Sequence, residues 1–307
     1  MSNFLSVVIP AFKKESLSLV LKGISNQTLS GDLFEIIVVD DASKQNLKDF
    51  VLRRHYNFNL KAFRNYKNRG AAYSRNRGLK EARGSLILFL GDDIIPDKNL
   101  FKIHFERHKE YPSKNIAVLG YVTWSNKIKV TPFMRWLEDG GPQNAYPEIE
   151  GKKWVSHNYF YGANISLKKD FLLENGLFNE KFKEYGWEDL ELGYRLSKKG
   201  LKILYEKKAR GFHYHILYLA DVLTKMKKVG QNAVLFNKLH PELKIIAPYF
   251  IPHKRIARKI VFNPLAVFIL KEVAEFFENK KICPCLYTRL VSLYFFKGVE
   301  KGLKIYE

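Results

Sequence analysis

The tightest constraint on the fold is a rhythm in the first hundred residues. Short, largely apolar runs end in acidic or turn-forming residues and are separated by segments with apolar residues at helical spacing. A brief apolar run bounded by such breakers reads as a buried strand. Residues 5–10 and 34–39 are runs of this kind, the second stopped by Asp40-Asp41. Residues 60–63 form a weaker third, and residues 85–90 a fourth, stopped by Gly91-Asp92-Asp93. Residues 17–25, 46–54, 73–82 and 100–108 carry the helical spacing. This order predicts an α/β fold, a mainly parallel sheet with helices on both faces. Ligands of such sheets bind beyond the carboxyl ends of the strands. Residues 12–15, 40–41 and 92–93 fall at those ends, so two acidic pairs converge on one crevice.

The later chain is less regular. Residues 115–121, 159–166 and 201–205 read as strands, and residues 169–175 and 188–198 as helices. Residues 131–151 hold three prolines and the Gly140-Gly141 pair, which predicts a short helix followed by a mobile loop. After His215 the pattern turns helical and basic. The expected organisation is an α/β domain over residues 1–218 and a C-terminal helical extension over residues 219–307.

Charge narrows the partners. Lys and Arg number 52 against 31 Asp and Glu, a formal excess of 21. A phosphorylated substrate, an anionic membrane or a nucleic acid would match it. The basic residues are spread along the chain and no nucleic-acid recognition motif is present, which excludes the last. Cys283-Pro284-Cys285 is spaced too tightly for an easy disulfide and has no partner pair for zinc, which fits a reducing compartment. No leader peptide and no apolar run of roughly 20 residues is read, so the expected location is cytoplasmic.

Five segments can carry chemistry, each with a plainer role beside it. Asp92-Asp93 at a strand end either holds Mg²⁺ or Mn²⁺ or caps the next helix. Asp40-Asp41-Ala42-Ser43 either accepts from a base or ribose or caps a helix. Asn68-Arg69-Gly70, followed by Arg75-Asn76-Arg77-Gly78, opens a helix with two glycines and basic residues, suiting either a phosphate or solvent. Gly186-Trp187-Glu188-Asp189-Leu190-Glu191 clusters three acids at a helix start. One of them serves either as a general base or as a partner of the helix dipole. His213-Tyr214-His215 on an extended segment turns both imidazoles the same way, toward either a metal begun by Asp93 or a structural role.

Taken together these segments resemble the family 2 glycosyltransferases of the GT-A (Rossmann-like) fold, over residues 5 to about 215. The order is Val7-Val8-Ile9-Pro10-Ala11-Phe12, Val38-Val39-Asp40-Asp41, Asn68-Arg69-Gly70, Phe89-Leu90-Gly91-Asp92-Asp93, Gly162-Ala163-Asn164, Trp187-Glu188-Asp189 and His213. The Trp-Glu-Asp segment is also similar to chondroitin-polymerase-type and galactosyltransferase-type members. The resemblance implies a nucleotide-sugar donor, with uridine diphosphate the favoured carrier, lined by Pro10, Ala11, Phe12, Glu15, Asp41, Gly70, Arg75 and Asp92. It implies Asp189 as the catalytic base, with Glu188 beside it in the catalytic pair, and Asp93 and His213 as ligands of Mn²⁺ or Mg²⁺. Gly91 departs from the usual Asp-x-Asp metal motif by removing its first carboxylate.

The implied reaction is an inverting transfer of a hexosyl or N-acetylhexosaminyl group to a hydroxyl of a glycan, polysaccharide or lipid-linked acceptor. A glycosyltransferase-like binding module without catalysis is the first alternative. A nucleotidyltransferase is the second, against which the loop after the first strand, Ala11-Phe12-Lys13-Lys14-Glu15, has no glycine. Lys254, Arg255, Arg258 and Lys259 precede two apolar segments, residues 262–277 and 286–296. That arrangement predicts either peripheral docking on the anionic inner face of a cell membrane or a homo-oligomer interface.

Overall fold

Every apolar run of the first hundred residues is a strand: β1 (Leu5–Ala11), β2 (Phe34–Asp40), β3 (Asn59–Arg64) and β4 (Leu86–Leu90). All residues of β2 and β4 are buried, which is what a strand covered on two faces requires. In this computed structural model residues 4–247, 264–276 and 284–306 are described. Strands β5 (Ile94–Pro96), β6 (Ile116–Trp124), β7 (Trp154–Val155), β8 (Asn164–Lys168) and β9 (Lys202–His213) complete a nine-stranded sheet. Its order is β3-β2-β1-β4-β8-β6-β9-β5, with β7 also paired to β9. β1–β4, β6 and β9 run one way and β5, β7 and β8 the other. Helices α1 (Lys14–Ser25), α2 (Leu47–Leu52), α3 (Ala71–Glu81), α4 (Leu100–Glu110), α6 (Lys169–Asn175) and α7 (Glu188–Ser197) surround it, and α5 (Pro132–Asp139) lies outside this unit. Gly78 lets α3 close on β1, since a Cβ there would stand 2.4 Å from Val8 Cγ1.

Two strands differ from expectation. β8 begins at Asn164 rather than near Tyr159, because His157–Tyr159 forms a tight 3₁₀ turn. β9 continues to His213 through the charged stretch 206–210, which hides it from an apolar-run reading. A bulge explains that stretch. Gly120 pairs with Glu206 but the next residue, Tyr121, pairs with Arg210, so residues 207–209 are extra on β9. Asn164 Nδ2 donates to the bulge carbonyl of Ala209 at 2.9 Å. A Cβ on Gly120 would sit 2.2 Å from that amide nitrogen, so glycine is required there.

The described residues divide between two compact units. One takes those within Met1–Ile128, Glu148–Lys183 and Glu188–His215; the other takes those within Lys129–Pro147, Glu184–Trp187 and Ile216–Glu307. The second unit contains α5, α8 (Leu219–Leu239), α9 (Pro264–Phe276) and α10 (Pro284–Tyr306). Helices α8 and α10 touch backbone to backbone through glycine: a Cβ on Gly230 would stand 1.9 Å from Phe295 O, and one on Gly298 2.0 Å from Lys227 O. Within the same unit Asn232 is fully buried and donates to the carbonyls of Glu184, Tyr185 and Gly186 at 3.0, 3.4 and 2.9 Å. The Trp187 indole donates to Val229 O at 2.9 Å. Cys285 is disulfide-bonded, which corrects the expectation of free thiols; its neighbour Cys283 lies outside the described residues. The basic cluster at residues 254–259 also lies outside them. Among the described residues no helix is long and apolar enough to cross a membrane.

A buried polar chain braces α4 against β8. Lys168 Nζ donates to His108 Nδ1 at 3.1 Å, His108 Nε2 meets Ser166 Oγ at 2.9 Å, and Ser166 Oγ meets His104 Nδ1 at 2.7 Å. His104 Nε2 reaches Asn164 Oδ1 at 3.0 Å. Lysine at one end can only donate and the amide oxygen at the other can only accept, so every proton has one assigned place and both rings are neutral. Burial pushes His104 down to about 4. Burial, then the charges of Lys168 and His104, holds His108 well below the usual imidazole range. A histidine with a depressed folded pKa binds its proton more readily when unfolded. Stability is therefore full above the ordinary value of about 6.5 and declines as pH falls toward 4. His104 alone should contribute a loss of roughly 3 kcal/mol by the acid end of that window. Urea unfolding from pH 7 to pH 4 should show this decline, and His104→Gln should flatten it; a slope unchanged by that substitution would count against neutral buried rings.

Candidate active site

The rim at the carboxyl ends of β1, β2 and β4 is held by aspartates with different duties. Asp92 follows β4, and its Oδ2 accepts from the amides of Phe12 and Lys13 at 2.7 and 3.1 Å, fixing the turn from β1 into α1. Burial, then the charge of Asp93, pushes Asp92 up to about 7. Asp40 is fully buried and takes the capping role: its oxygens accept from Ser43 N at 2.8 Å, from Leu47 N at 2.9 Å and from Arg64. Asp41 organises the loop before α3, accepting from Arg69 N at 2.9 Å, Gly70 N at 2.8 Å and Asn65 Nδ2 at 2.8 Å. Gly70 has φ +85°, and a Cβ there would stand 2.6 Å from Lys183 O, so two constraints demand glycine. Pro10 and Ala11 end β1, while Phe12 is 52% exposed beside them. Glu15 is exposed on the first turn of α1.

Asp93 faces two imidazoles. Its Oδ2 lies 3.1 Å from His213 Nε2 and 3.6 Å from His215 Nδ1. Ligand atoms of the three residues all fall within 4.8 Å of one another. β5 and β9 bring them together, since Ile94 pairs with His213 and Tyr214 N donates to Asp93 O at 2.8 Å. Trp124 stacks on the His213 ring at 5.0 Å and 12°. Burial would raise Asp93, but the charges and hydrogen bonds of His213 and His215 outweigh it and hold the carboxyl well below its ordinary range. One hard oxygen and two imidazole nitrogens fit a first-row divalent cation, better matched to Mn²⁺ than to Mg²⁺. Lys13 Nζ lies 2.8 Å from His215 Nε2.

The third element is the start of α7. Gly186 and Trp187 both have positive φ, +93° and +76°, and the helix begins at the next residue, Glu188. Glu188 Oε1 accepts from Arg75 Nη1 at 3.0 Å, and both side chains are about nine-tenths buried. Asp189 accepts from Gly162 N at 3.1 Å and from Leu190 N at 2.9 Å. Burial, then the charge of Glu188, lifts Asp189 to about 6, against the Arg75 charge and those two amides. Arg75 Nη2 also donates to Gly162 O at 3.3 Å. Arg75 Nε and Glu188 Oε2 are buried without a hydrogen-bond partner, as expected of groups that face a polar ligand.

One backbone segment joins these clusters. Gly162 carries Asp189 and Arg75, while the carbonyl of its neighbour Ala163 accepts from Gly91 N at 3.1 Å, two residues before Asp93. A Cβ on Gly162 would meet the Arg75 guanidinium at 2.9 Å. The proposed nucleotide-side and catalytic-side residues are thus held to a common strand start. Lys13 lies within the strand-end segment 12–15, and its amine stands against His215. Glu188 is engaged with Arg75, which leaves Asp189 as the carboxylate suited to accept a proton. Since the Glu188 charge raises Asp189, Glu188→Gln should lower the Asp189 midpoint from about 6 by a unit or more. Carbon NMR titration of the carboxyl reads this directly, and an unmoved midpoint would contradict the coupling.

Comparison with known proteins identifies the family. Residues 6–187 match the model of glycosyl transferase family 2. Chondroitin synthase of Escherichia coli is 28% identical over 240 residues, covering 68% of this chain and 34% of the relative. An uncharacterized glycosyltransferase, YfnE of Bacillus subtilis, is 27% identical over 64% of this chain and 61% of its own length. The chain thus spans less than two thirds of either relative. A mannosyltransferase from Pyrobaculum calidifontis, solved with GDP-Man and Mn²⁺, superposes with TM-score 0.66 at 18% identity, covering 99% of this chain and 88% of that one. TarS 1-349 of S. aureus with UDP-GlcNAc gives TM-score 0.53 at 19% identity, with 98% and 92% covered. These likenesses show the GT-A fold, and with the match across more than half of its residues the chain belongs to glycosyl transferase family 2.

Proposed function

We propose that this protein is a metal-assisted inverting glycosyltransferase, moving a sugar from a uridine diphosphate carrier to a hydroxyl of a glycan, polysaccharide or lipid-linked acceptor. The observation that carries this reading is Asp189, a carboxylate lifted to about 6 and aimed by two backbone amides at a helix start. A base works best when its pKa lies near the working pH. Asp189 accepts the acceptor's proton as its oxygen attacks the anomeric carbon from the face opposite the diphosphate. One displacement inverts the configuration and needs no covalent nucleophile.

The other residues hold the parts. Asp93, His213 and His215 would hold the cation, and Mn²⁺ bound there would supply positive charge to the departing diphosphate. Asp92 keeps Phe12 and Lys13 at the donor rim, with Pro10, Ala11 and Glu15 beside them. Asp41 and Gly70 shape the loop that receives the nucleoside. The Arg75–Glu188 pair sets the orientation and charge around Asp189. The uridine carrier is supported by the likeness to TarS with UDP-GlcNAc, and a nucleoside diphosphate sugar in general by both solved neighbours.

Docking of the C-terminal helices on an anionic membrane rests on the sequence of residues 254–259 and on the exposed Phe268 and Val273 of α9. Co-sedimentation with anionic vesicles that fades with salt supports docking. A salt-independent dimer without vesicle binding would favour self-association instead.

The central experiment is steady-state turnover of a UDP-sugar. Asp189→Asn keeps the shape and removes the proton acceptor. Donor affinity should persist while kcat falls by about 10²–10⁴-fold. Wild-type kcat should fall below pH 6, where Asp189 is protonated, and should vanish in excess chelator and return with Mn²⁺. Full turnover by Asp189→Asn, or in chelator, would overturn the assignment.

A further inference from the structure

Away from the carboxylate–histidine site, the flank of the first unit along β7 and β9 carries two adjoining clefts of about 580 and 690 Å³ that share Glu110 and Tyr111. Both volumes lie within the roughly 300–1,000 Å³ typical of ligand sites. No donor-site or catalytic residue lines either one. We propose that these clefts bind an anionic oligosaccharide, anchoring the acceptor chain at a distance from the reacting end. This rests on the glycosyltransferase reading above and adds to it the chemical class of the acceptor.

Aromatic surface comes first. Trp154 of β7 is 43% exposed, unusual for so large an apolar group on a two-residue edge strand. Tyr111 meets it edge-on at 5.6 Å and 87°. Such faces pack against the C–H faces of pyranose rings, an apolar contact that loses no hydrogen bond. Cations come second. The bulge that thrusts residues 207–209 out of β9 presents Lys207 and Lys208 to the larger cleft. Lys152, Lys208 and Arg210 line it, are exposed, and have no carboxylate partner among the described residues. They are available to carboxylate, sulfate or phosphate groups on a ligand.

Carboxylates come third, and they select among polyanions. Glu110, Glu150 and Glu206 line the same cleft. Each is held by a cation: Arg107 binds Glu206 at 2.7 Å and also pairs Glu110, and Lys207 binds Glu150 at 2.5 Å. With these acids already paired, the unpaired cations of the cleft are Lys152, Lys208 and Arg210, fewer than a nucleic acid charged at every nucleotide would call for. A glycan charged only on alternate sugars places neutral hydroxyls opposite the acids, as donors to acceptor oxygens. Arg210 stands three residues before His213 on β9, about 10 Å along the strand. The groove therefore runs on the same strand that ends at the metal-type cluster.

The test uses the full chain and measures binding without donor. The probe is a hyaluronan decasaccharide, with a carboxylate on alternate sugars; a neutral maltodextrin of equal length and an oligothymidylate serve as comparators, with anionic vesicles alongside. Calorimetry should show hyaluronan binding that weakens as salt rises from about 50 to 300 mM. Trp154→Ala and the double variant Lys208→Glu with Arg210→Glu should each weaken it roughly tenfold. Melting temperature and UDP-sugar hydrolysis should stay as in the wild type for both. No hyaluronan binding, equal binding by the variants, or tighter variant-sensitive binding of oligothymidylate or vesicles would overturn the proposal. Loss of UDP-sugar hydrolysis in the wild type would instead count against the glycosyltransferase reading, independently of the groove.

Discussion

The site depends on one constraint, the complete burial of the strands that support it. β2 and β4 have no exposed residue, and β1 has none before Pro10. No charge can be placed within such strands without partners, so polar groups collect where the strands stop. The parallel order β3-β2-β1-β4 puts those stops on one rim. Asp92 then ties the rim together by reaching from the end of β4 to the amides after β1. A single carboxylate thus converts two adjacent strand ends into one fixed edge.

Within that rim, environment separates acids that look alike in sequence. Asp40 and Asp41 are neighbours, yet one caps a helix and grips Arg64 while the other shapes the Arg69-Gly70 loop. Asp92 is pushed up to about 7 by burial and by Asp93, whereas Asp93 is held low by two imidazoles. Glu188 is neutralised by Arg75 and in turn raises Asp189. In the Asp92–Asp93 pair the two acids are driven apart, so that one stays charged and the other can exchange a proton. The Gly91 substitution belongs to the same balance: a Cβ there would press on Ile94 Cγ1 at 2.9 Å and Asp93 Oδ1 at 3.0 Å. The position is filled by packing, and two histidines stand near Asp93 where a second carboxylate is absent.

Much of this was legible in the sequence because burial and breakers leave marks in residue order. The four first strands and α6 match their apolar patterns closely, and the acidic stops fall where expected. What escaped detection has a physical reason in each case. β9 runs through Glu206-Lys207-Lys208-Ala209-Arg210, whose alternation is broken by the bulge. β5 and β7 have three and two residues, too few for any period. The role of Gly162 and Ala163 is carried by backbone atoms, which no side-chain pattern reports. The pairing of Arg75 with Glu188 spans 113 positions and follows only from the fold.

The turn before α7 shows how strain is sustained next to reactive groups. A non-glycine residue at φ +76° costs about 1–3 kcal/mol unless its surroundings over-determine it. Trp187 satisfies that condition inside the second unit. Its indole donates to Val229 O and packs on Phe236 with ring centres 4.8 Å apart. The fully buried Asn232 takes the three preceding carbonyls on one amide, which ties the turn to α8. A smaller side chain would relieve little strain, because the φ value belongs to the backbone, and would forfeit the anchor. Tryptophan is therefore favoured at this turn by the hydrogen bond and ring contact it makes. The next residues in the chain, Glu188 and Asp189, open α7.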